Sequence, residues 1–266
     1  VAMAEAMSQA LAIDESGLLN PHIDVDRIGF YIGTVLAGAS DIGADQEMVL
    51  RRGRADGRSI RKVDPQTLAS VPSRLWHTHG PALTLITACS AGTEAIALGG
   101  DQIRSGRVDI AIVGGTDAFI MRPIMVKYFE ALEGALSKEE NPEEALRAYD
   151  QNPTGTIISE GAGILVLATE DMARKLSGKK IAKLAGWGSS ADGEDPIKPN
   201  GIGTAKSLEL AFQMAGMLKG PGYINGHGGG THGDGIELDS LLATLIKYEI
   251  KKRTAINSTK PSTGNM

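Results

Sequence analysis

Three segments of the chain carry residue types that do chemistry. In Thr87-Ala88-Cys89-Ser90-Ala91-Gly92, a lone cysteine follows the apolar run Leu83-Thr84-Leu85-Ile86 and precedes a helical pattern from Thr93 to Ser105. A sulfur at a strand-to-helix junction faces unsatisfied backbone N–H groups and the positive helix end, which favours thiolate and so a nucleophile. The competing reading is a small buried hydrophobe; the elbow position between small neighbours weighs against it. In Asn225-Gly226-His227-Gly228-Gly229-Gly230-Thr231-His232-Gly233-Asp234, the glycines let backbone approach a ligand closely, and His227 follows a strand end. A flexible turn is one alternative, and a phosphate loop is another, weakened because no Gly-Lys-Ser/Thr follows. A metal site from His227, His232 and Asp234, with His77 or His79, is a third, but its spacing fits no standard zinc pattern. The last segment, Ser258-Thr259-Lys260-Pro261-Ser262-Thr263-Gly264-Asn265, holds a lysine just after a strand. Alone it reads as a solvated charge and a turn.

The elements that must position these groups follow from hydrophobic patterning. Strands are expected at Ile28 to Gly33, Leu83 to Ile86, Ile110 to Val113, Ile164 to Ala168, Ile181 to Gly186, Tyr223 to Asn225 and Thr254 to Asn257. Helices are expected at Ala2 to Ala12, Thr93 to Ser105, Ala205 to Ala215 and Ile236 to Tyr248. Alternation of short buried strands with helices marks a layered α/β domain. Its ligands gather at the carboxyl ends of strands, where Cys89, His227 and Lys260 all fall. The two halves repeat this plan loosely, and no linker rich in proline or serine separates them.

Composition sets limits on function. The 266 residues include 27 basic and 32 acidic side chains, a net charge of -5, which argues against a general nucleic-acid binder. Apolar residues make up 42%, enough for a sizeable core. The single cysteine excludes an internal disulfide and points to a reducing cytoplasm. No apolar run approaches the roughly 18 residues of a membrane span. The chain opens on Val1 without a signal-peptide layout, so an earlier N-terminal segment is expected. Against the acidic whole, Arg51, Arg52, Arg54, Arg58, Arg61 and Lys62 form one basic stretch, either a solvated face or a dock for an acidic partner.

Taken together, the segments resemble the β-ketoacyl-acyl-carrier-protein synthases, the elongating ketosynthases of the thiolase superfamily. Thr87-Ala88-Cys89 with Ala91-Gly92, preceded by Gly80-Pro81, looks like the nucleophile motif. Val113-Gly114-Gly115-Thr116-Asp117 is similar to a Gly-Gly-x-Glu/Asp strand end, and Glu160-Gly161-Ala162-Gly163 matches Glu-Gly-Ala-Gly without change. Asn225-Gly226-His227-Gly228 resembles the first histidine motif, and Ser258-Thr259-Lys260 with Thr263-Gly264 resembles the segment before the second histidine. The resemblance covers nearly the whole chain.

The resemblance implies a thiolase-like layered αβαβα fold with two pseudo-repeated halves, approximately 1–168 and 169–266, in one domain incomplete at both termini. It implies decarboxylative Claisen condensation of a malonyl-carrier thioester with an acyl group held on Cys89, in fatty acid or polyketide synthesis, without a cofactor or metal. His227 and Asn265 map to the oxyanion donors and Lys260 to the supporting lysine, while Thr231 with Gly230 is the expected contact for the pantetheine arm. Arg51, Arg52 and Arg54 fall where an acidic acyl carrier protein docks. A homodimer, or a heterodimer with a related subunit, is implied, with neither nucleic acid nor membrane as partner.

Four departures accompany it. Asn265 stands at the second histidine, and its amide donates a hydrogen bond but does not shuttle a proton. Gly229 replaces a threonine, and the loop to Asp234 is one residue shorter. Asp150-Gln151-Asn152-Pro153-Thr154-Gly155-Thr156 lacks the family's Arg-Asp-Gly-Phe character. Family members run to roughly 400 residues, and the Gly-Phe-Gly-Gly loop of the oxyanion hole is not in this sequence. These departures keep a second reading open: a non-condensing partner subunit, or a protein that binds or transfers acyl chains.

Overall fold

The computed structural model describes all residues except 37, 55, 119, 121, 122, 133, 196, 197, 217–219, 251 and 252. In chain order its elements are α1 (Ala2–Gln9), β1 (Ile28–Gly33), α2 (Ala39–Arg52), α3 (Ile60–Val63), α4 (Thr67–Leu75), β2 (Ala82–Leu85), a 3₁₀ turn (Ala88–Ser90), α5 (Ala91–Arg104) and β3 (Ile110–Ala118). They continue with α6 (Pro123–Ala131), β4 (Glu160–Ala168), α7 (Glu170–Leu176), α8 (Ile202–Ala215), β5 (Tyr223–Asn225), α9 (Gly233–Lys247), β6 (Ala255–Asn257) and α10 (Lys260–Thr263). The chain forms two compact units, the first from Val1–Ala118 and Gly161–Leu184, the second from Phe119–Glu160 and Ala185–Met266.

The first unit is built on a sheet of order β2-β1-β3-β4. β1 runs parallel to β2, with Gly33 opposite Leu85, and parallel to β3, with Gly33 opposite Gly115. All six β1 residues are buried, as a continuous apolar strand covered on both faces requires. Ile28, Phe30 and Ile32 pack with Met7, Trp76, Ile110, Ile112 and Met172 on one side; Tyr31 and Val113 pack with Ala95 and Val108 on the other. Phe30 and Trp76 stack with ring centroids 6.1 Å apart. At the outer edge of β2 the Gln66 side chain donates to the Ala82 carbonyl (2.6 Å) and accepts from the Thr84 N–H (3.3 Å), covering groups that would otherwise lack partners.

In the second unit β5 and β6 pair in parallel, Asn225 opposite Asn257, and α8 packs on α9. Phe212 and Tyr248 meet edge to face at 5.6 Å. One expected strand is absent: Ile181 to Gly186 has no ladder partner among the described residues, and Ile181 is 83% exposed. β-branched composition favours a strand only where a neighbour supplies hydrogen bonds and packing. α1 also stops at Gln9, short of Ala12, and Leu11 beyond it takes a φ of 55°.

Candidate active site

In the first unit, β2 leads into the elbow that carries Cys89. Ala88 has a φ of 51°, a left-handed value unusual for a residue with a β-carbon. The chain therefore turns sharply through Ala88–Ser90 straight into α5, leaving Cys89 exposed before the first turn of that helix. Ser90 braces the turn by donating its hydroxyl to the Thr87 carbonyl at 2.8 Å.

Glycines let α5 lie directly against the sheet. A β-carbon on Gly33 would sit 2.2 Å from the carbonyl carbon and oxygen of Ala91, and one on Gly115 would sit 3.3 Å from the Gly92 Cα. The Gly-Gly and Glu-Gly-Ala-Gly motifs also meet: a β-carbon on Gly114 would strike the Gly163 carbonyl at 2.0 Å, and the Thr116 hydroxyl donates to the Gly161 carbonyl at 3.1 Å. The acid that ends the first motif, Asp117, accepts from the Thr34 hydroxyl and the Val35 N–H, both at 2.8 Å, and fixes the loop after β1.

In the second unit, His227 and Lys260 are brought together by the β5–β6 pairing, because each follows one of those strands. The Gly226 N–H donates to the Asn257 carbonyl at 2.8 Å, and the Ser258 hydroxyl donates to the His227 carbonyl at 3.0 Å. Lys260 Nζ donates to that same carbonyl at 2.6 Å and stands 3.2 Å from His227 Nδ1. An ammonium only donates, so Nδ1 is the acceptor and the neutral imidazole carries its proton on Nε2. Partial desolvation by the surrounding chain, followed by the Lys260 charge, holds His227 below the ordinary histidine range. The ring is therefore a neutral Nε2–H donor at neutral pH.

The glycine loop after His227 is organised by two acids one turn apart on α9. Asp234, 3% exposed, accepts backbone N–H groups from Gly229 (2.9 Å), Gly230 (2.9 Å), Thr231 (3.4 Å) and Tyr149 (3.0 Å). Glu237 accepts from the N–H of His227 at 2.6 Å, the N–H of Gly228 at 3.0 Å and the hydroxyl of Tyr149 at 2.9 Å. These bonds give Asp234 a loop-holding role. Among the described residues no three His, Cys, Asp or Glu side chains gather as a metal set. Gly230 is buried, its N–H engaged by Asp234 and its carbonyl accepting from Gly155 at 2.8 Å, while Thr231 is half-buried at the start of α9. Asn265 is pinned through its backbone, donating to the Ile157 carbonyl (2.7 Å) and accepting from the Ser159 N–H (2.9 Å).

Arg51 and Arg52 close α2 and Arg54 follows it, all exposed; Arg51 pairs with Glu47 at 2.7 Å. Arg58, Arg61 and Lys62 are exposed as well. Sequence patterning missed Tyr149 and Glu237. For Glu237 a signal existed, since it lies three residues beyond Asp234 and so on the same helix face.

The model of the β-ketoacyl synthase N-terminal domain matches residues 2–173, and that of the C-terminal domain matches residues 181–266. The chain belongs to the β-ketoacyl synthase family. It is 30% identical over 278 residues to 3-oxoacyl-acyl-carrier-protein synthase 2 of Rhizobium meliloti (strain 1021), covering 98% of this chain and 63% of that protein. To the synthase of the same name from Vibrio cholerae it is 28% identical over 267 residues, covering 96% and 63%. The chain thus spans a little under two thirds of the length of these curated relatives. Among solved structures it is similar to a type II polyketide ketosynthase in complex with its acyl-carrier protein (TM-score 0.84, 25% identity, 100% of this chain and 68% of that one). It is also similar to the ishigamide ketosynthase/chain length factor (TM-score 0.82, 29% identity, 98% and 64%). The fold is the thiolase-like layered α/β fold expected from the sequence. Among the described residues no helix is long and apolar enough to cross a membrane.

Proposed function

We propose that this chain is the acyl-holding part of a carrier-protein-dependent acyltransferase that makes carbon–carbon bonds by decarboxylative condensation. The observation that carries this reading is the exposed Cys89 on a strained elbow at the start of α5. In it the Cys89 thiolate attacks the carbonyl of an acyl-carrier thioester, forming an acyl-cysteine and releasing the carrier thiol. A malonyl-carrier then loses carbon dioxide, and the resulting enolate attacks the acyl-cysteine carbonyl. The carbon–sulfur bond breaks, Cys89 returns to thiolate, and the product is a β-ketoacyl carrier two carbons longer. The developing oxyanion needs fixed donors. His227 Nε2–H, kept neutral and oriented by Lys260, is one, and the Asn265 amide is the other. Thr231 and Gly230 receive the pantetheine arm, and Arg51, Arg52 and Arg54 dock the acidic carrier, with a second copy or a related subunit as dimer partner.

Incubation with an acyl thioester followed by intact mass analysis tests the nucleophile. A single adduct that disappears in Cys89→Ser supports the reading; no adduct, or one that survives the substitution, sinks it. Asn265 favours a second reading, a non-condensing partner subunit or acyl-transferring protein, because an amide cannot move a proton. Supplying acyl-enzyme with malonyl-carrier separates the two: extended product supports condensation, and acylation without extension supports the partner subunit.

A further inference from the structure

Among the described residues, Tyr149 alone binds both acids of the loop. Its N–H donates to Asp234 Oδ2 at 3.0 Å, and its hydroxyl donates to Glu237 Oε2 at 2.9 Å. It does so at a φ of 60°, a conformation a bulky side chain adopts only when its surroundings over-determine it. Its ring fits against backbone on both sides of His227: a β-carbon on Gly226 would lie 1.9 Å from the Tyr149 hydroxyl oxygen, and one on Gly228 would lie 2.9 Å from its Cε2.

The acceptor of that hydroxyl is the carboxylate that also takes the His227 N–H at 2.6 Å and the Gly228 N–H at 3.0 Å. Three donors converging on one carboxylate leave it a single orientation, and a charge-assisted bond is stronger than a neutral one. We propose that Tyr149 is a positioning residue for His227, acting through Glu237. Burial and the Glu237 charge hold its phenol above the ordinary tyrosine range, so it remains a donor wherever Glu237 is ionised. The geometry stands independently of the proposed function; only its catalytic consequence rests on that reading.

Hydrogen exchange of the intact protein tests the link. Tyr149→Phe removes the hydroxyl and keeps the ring. The His227 and Gly228 amides should then exchange about tenfold faster, while the Ala255 and Tyr248 amides, bonded elsewhere in the same unit, stay within about twofold. Unchanged exchange at His227 and Gly228, or an equal rise at all four amides, overturns the proposal. Glu237→Gln must accelerate the same two amides, and adding Tyr149→Phe to it must add less than about twofold; an additive double variant shows that Tyr149 does not act through Glu237. Should Tyr149→Phe fail to fold, Glu237→Gln alone decides whether this carboxylate holds the two amides, and unchanged exchange in it overturns the proposal. In a condensing wild type, Tyr149→Phe lowers kcat with KM for the malonyl-carrier unchanged. A wild type that acylates but never extends defeats the proposed function and leaves the exchange result standing.

Discussion

Lys260 Nζ stands 3.2 Å from His227 Nδ1 and 2.6 Å from the His227 carbonyl oxygen, so one ammonium fixes both the tautomer and the backbone of the same histidine. His227 is held below the ordinary histidine range first by partial desolvation and then by this charge, while Glu237 and Asp234 pull the other way. Lys260→Met removes the second cause and keeps the first. The His227 titration midpoint should therefore rise, as followed by NMR of its Cε1–H. The sign for stability follows. A histidine depressed in the folded state contributes stability that is full above about pH 6.5 and is lost as pH falls through the folded value. The variant should show a narrower window of this loss.

The elbow makes a different demand. A β-carbon on Gly33 would lie 2.2 Å from Ala91 backbone and 2.5 Å from the Gly92 nitrogen, atoms that cannot rotate away. Gly33→Ala must push α5 off the sheet, at a cost of about 2–3 kcal/mol. A Tm lower by roughly 5–10 °C is expected. Because Cys89 rides on the displaced turn, its rate of modification by a thiol reagent should change as well. An unchanged Tm and rate would mean that this close approach does not seat the elbow.

What could be read from the sequence follows the range of the interactions. β1 was legible to the residue because Ile28 to Gly33 is buried on both faces, and a continuous apolar run carries its own signature. The strand ends bearing Cys89, His227 and Lys260 were legible because glycines and small residues punctuate them. Ile181 to Gly186 misled because strand propensity is a property of a pair, and no partner for it exists among the described residues. Tyr149 was illegible for a similar reason. Its bonds to Asp234 and Glu237 span |i−j| of 85 and 88, and a half-buried tyrosine in a polar segment gives no periodic sign of them.

The basic stretch that begins in the last turn of α2 leads to a prediction about encounter. Arg51 is partly neutralised by Glu47 at 2.7 Å, so Arg52 and Arg54 are the better probes. Arg52→Glu with Arg54→Glu should lower kcat/KM for a carrier-bound acyl group by about tenfold at low ionic strength, mainly through KM. The effect should shrink as salt screens the surface. The rate of Cys89 acylation by a small acyl thioester should not change. Equal losses with both substrates would place the fault in the fold and not in docking.

Asn265 bears on whether the chain condenses at all. Its backbone is fixed on both sides, donating to the Ile157 carbonyl at 2.7 Å and accepting from the Ser159 N–H at 2.9 Å, so a substitution of equal size changes only the side chain. Asn265→Asp replaces a donor amide with an acceptor carboxylate and sets a negative charge against an oxygen that becomes negative in the transition state. If the amide stabilises the enolate, chain extension should fall on the order of 10²–10³-fold, the worth of one oxyanion donor. Acylation of Cys89, which precedes decarboxylation, should be far less affected. Both steps can be followed on one sample, by intact mass for the acyl-enzyme and by product analysis for the extended chain. An unchanged extension rate removes Asn265 from the donor set, and equal loss of both steps shows that the substitution damaged the elbow or the fold instead.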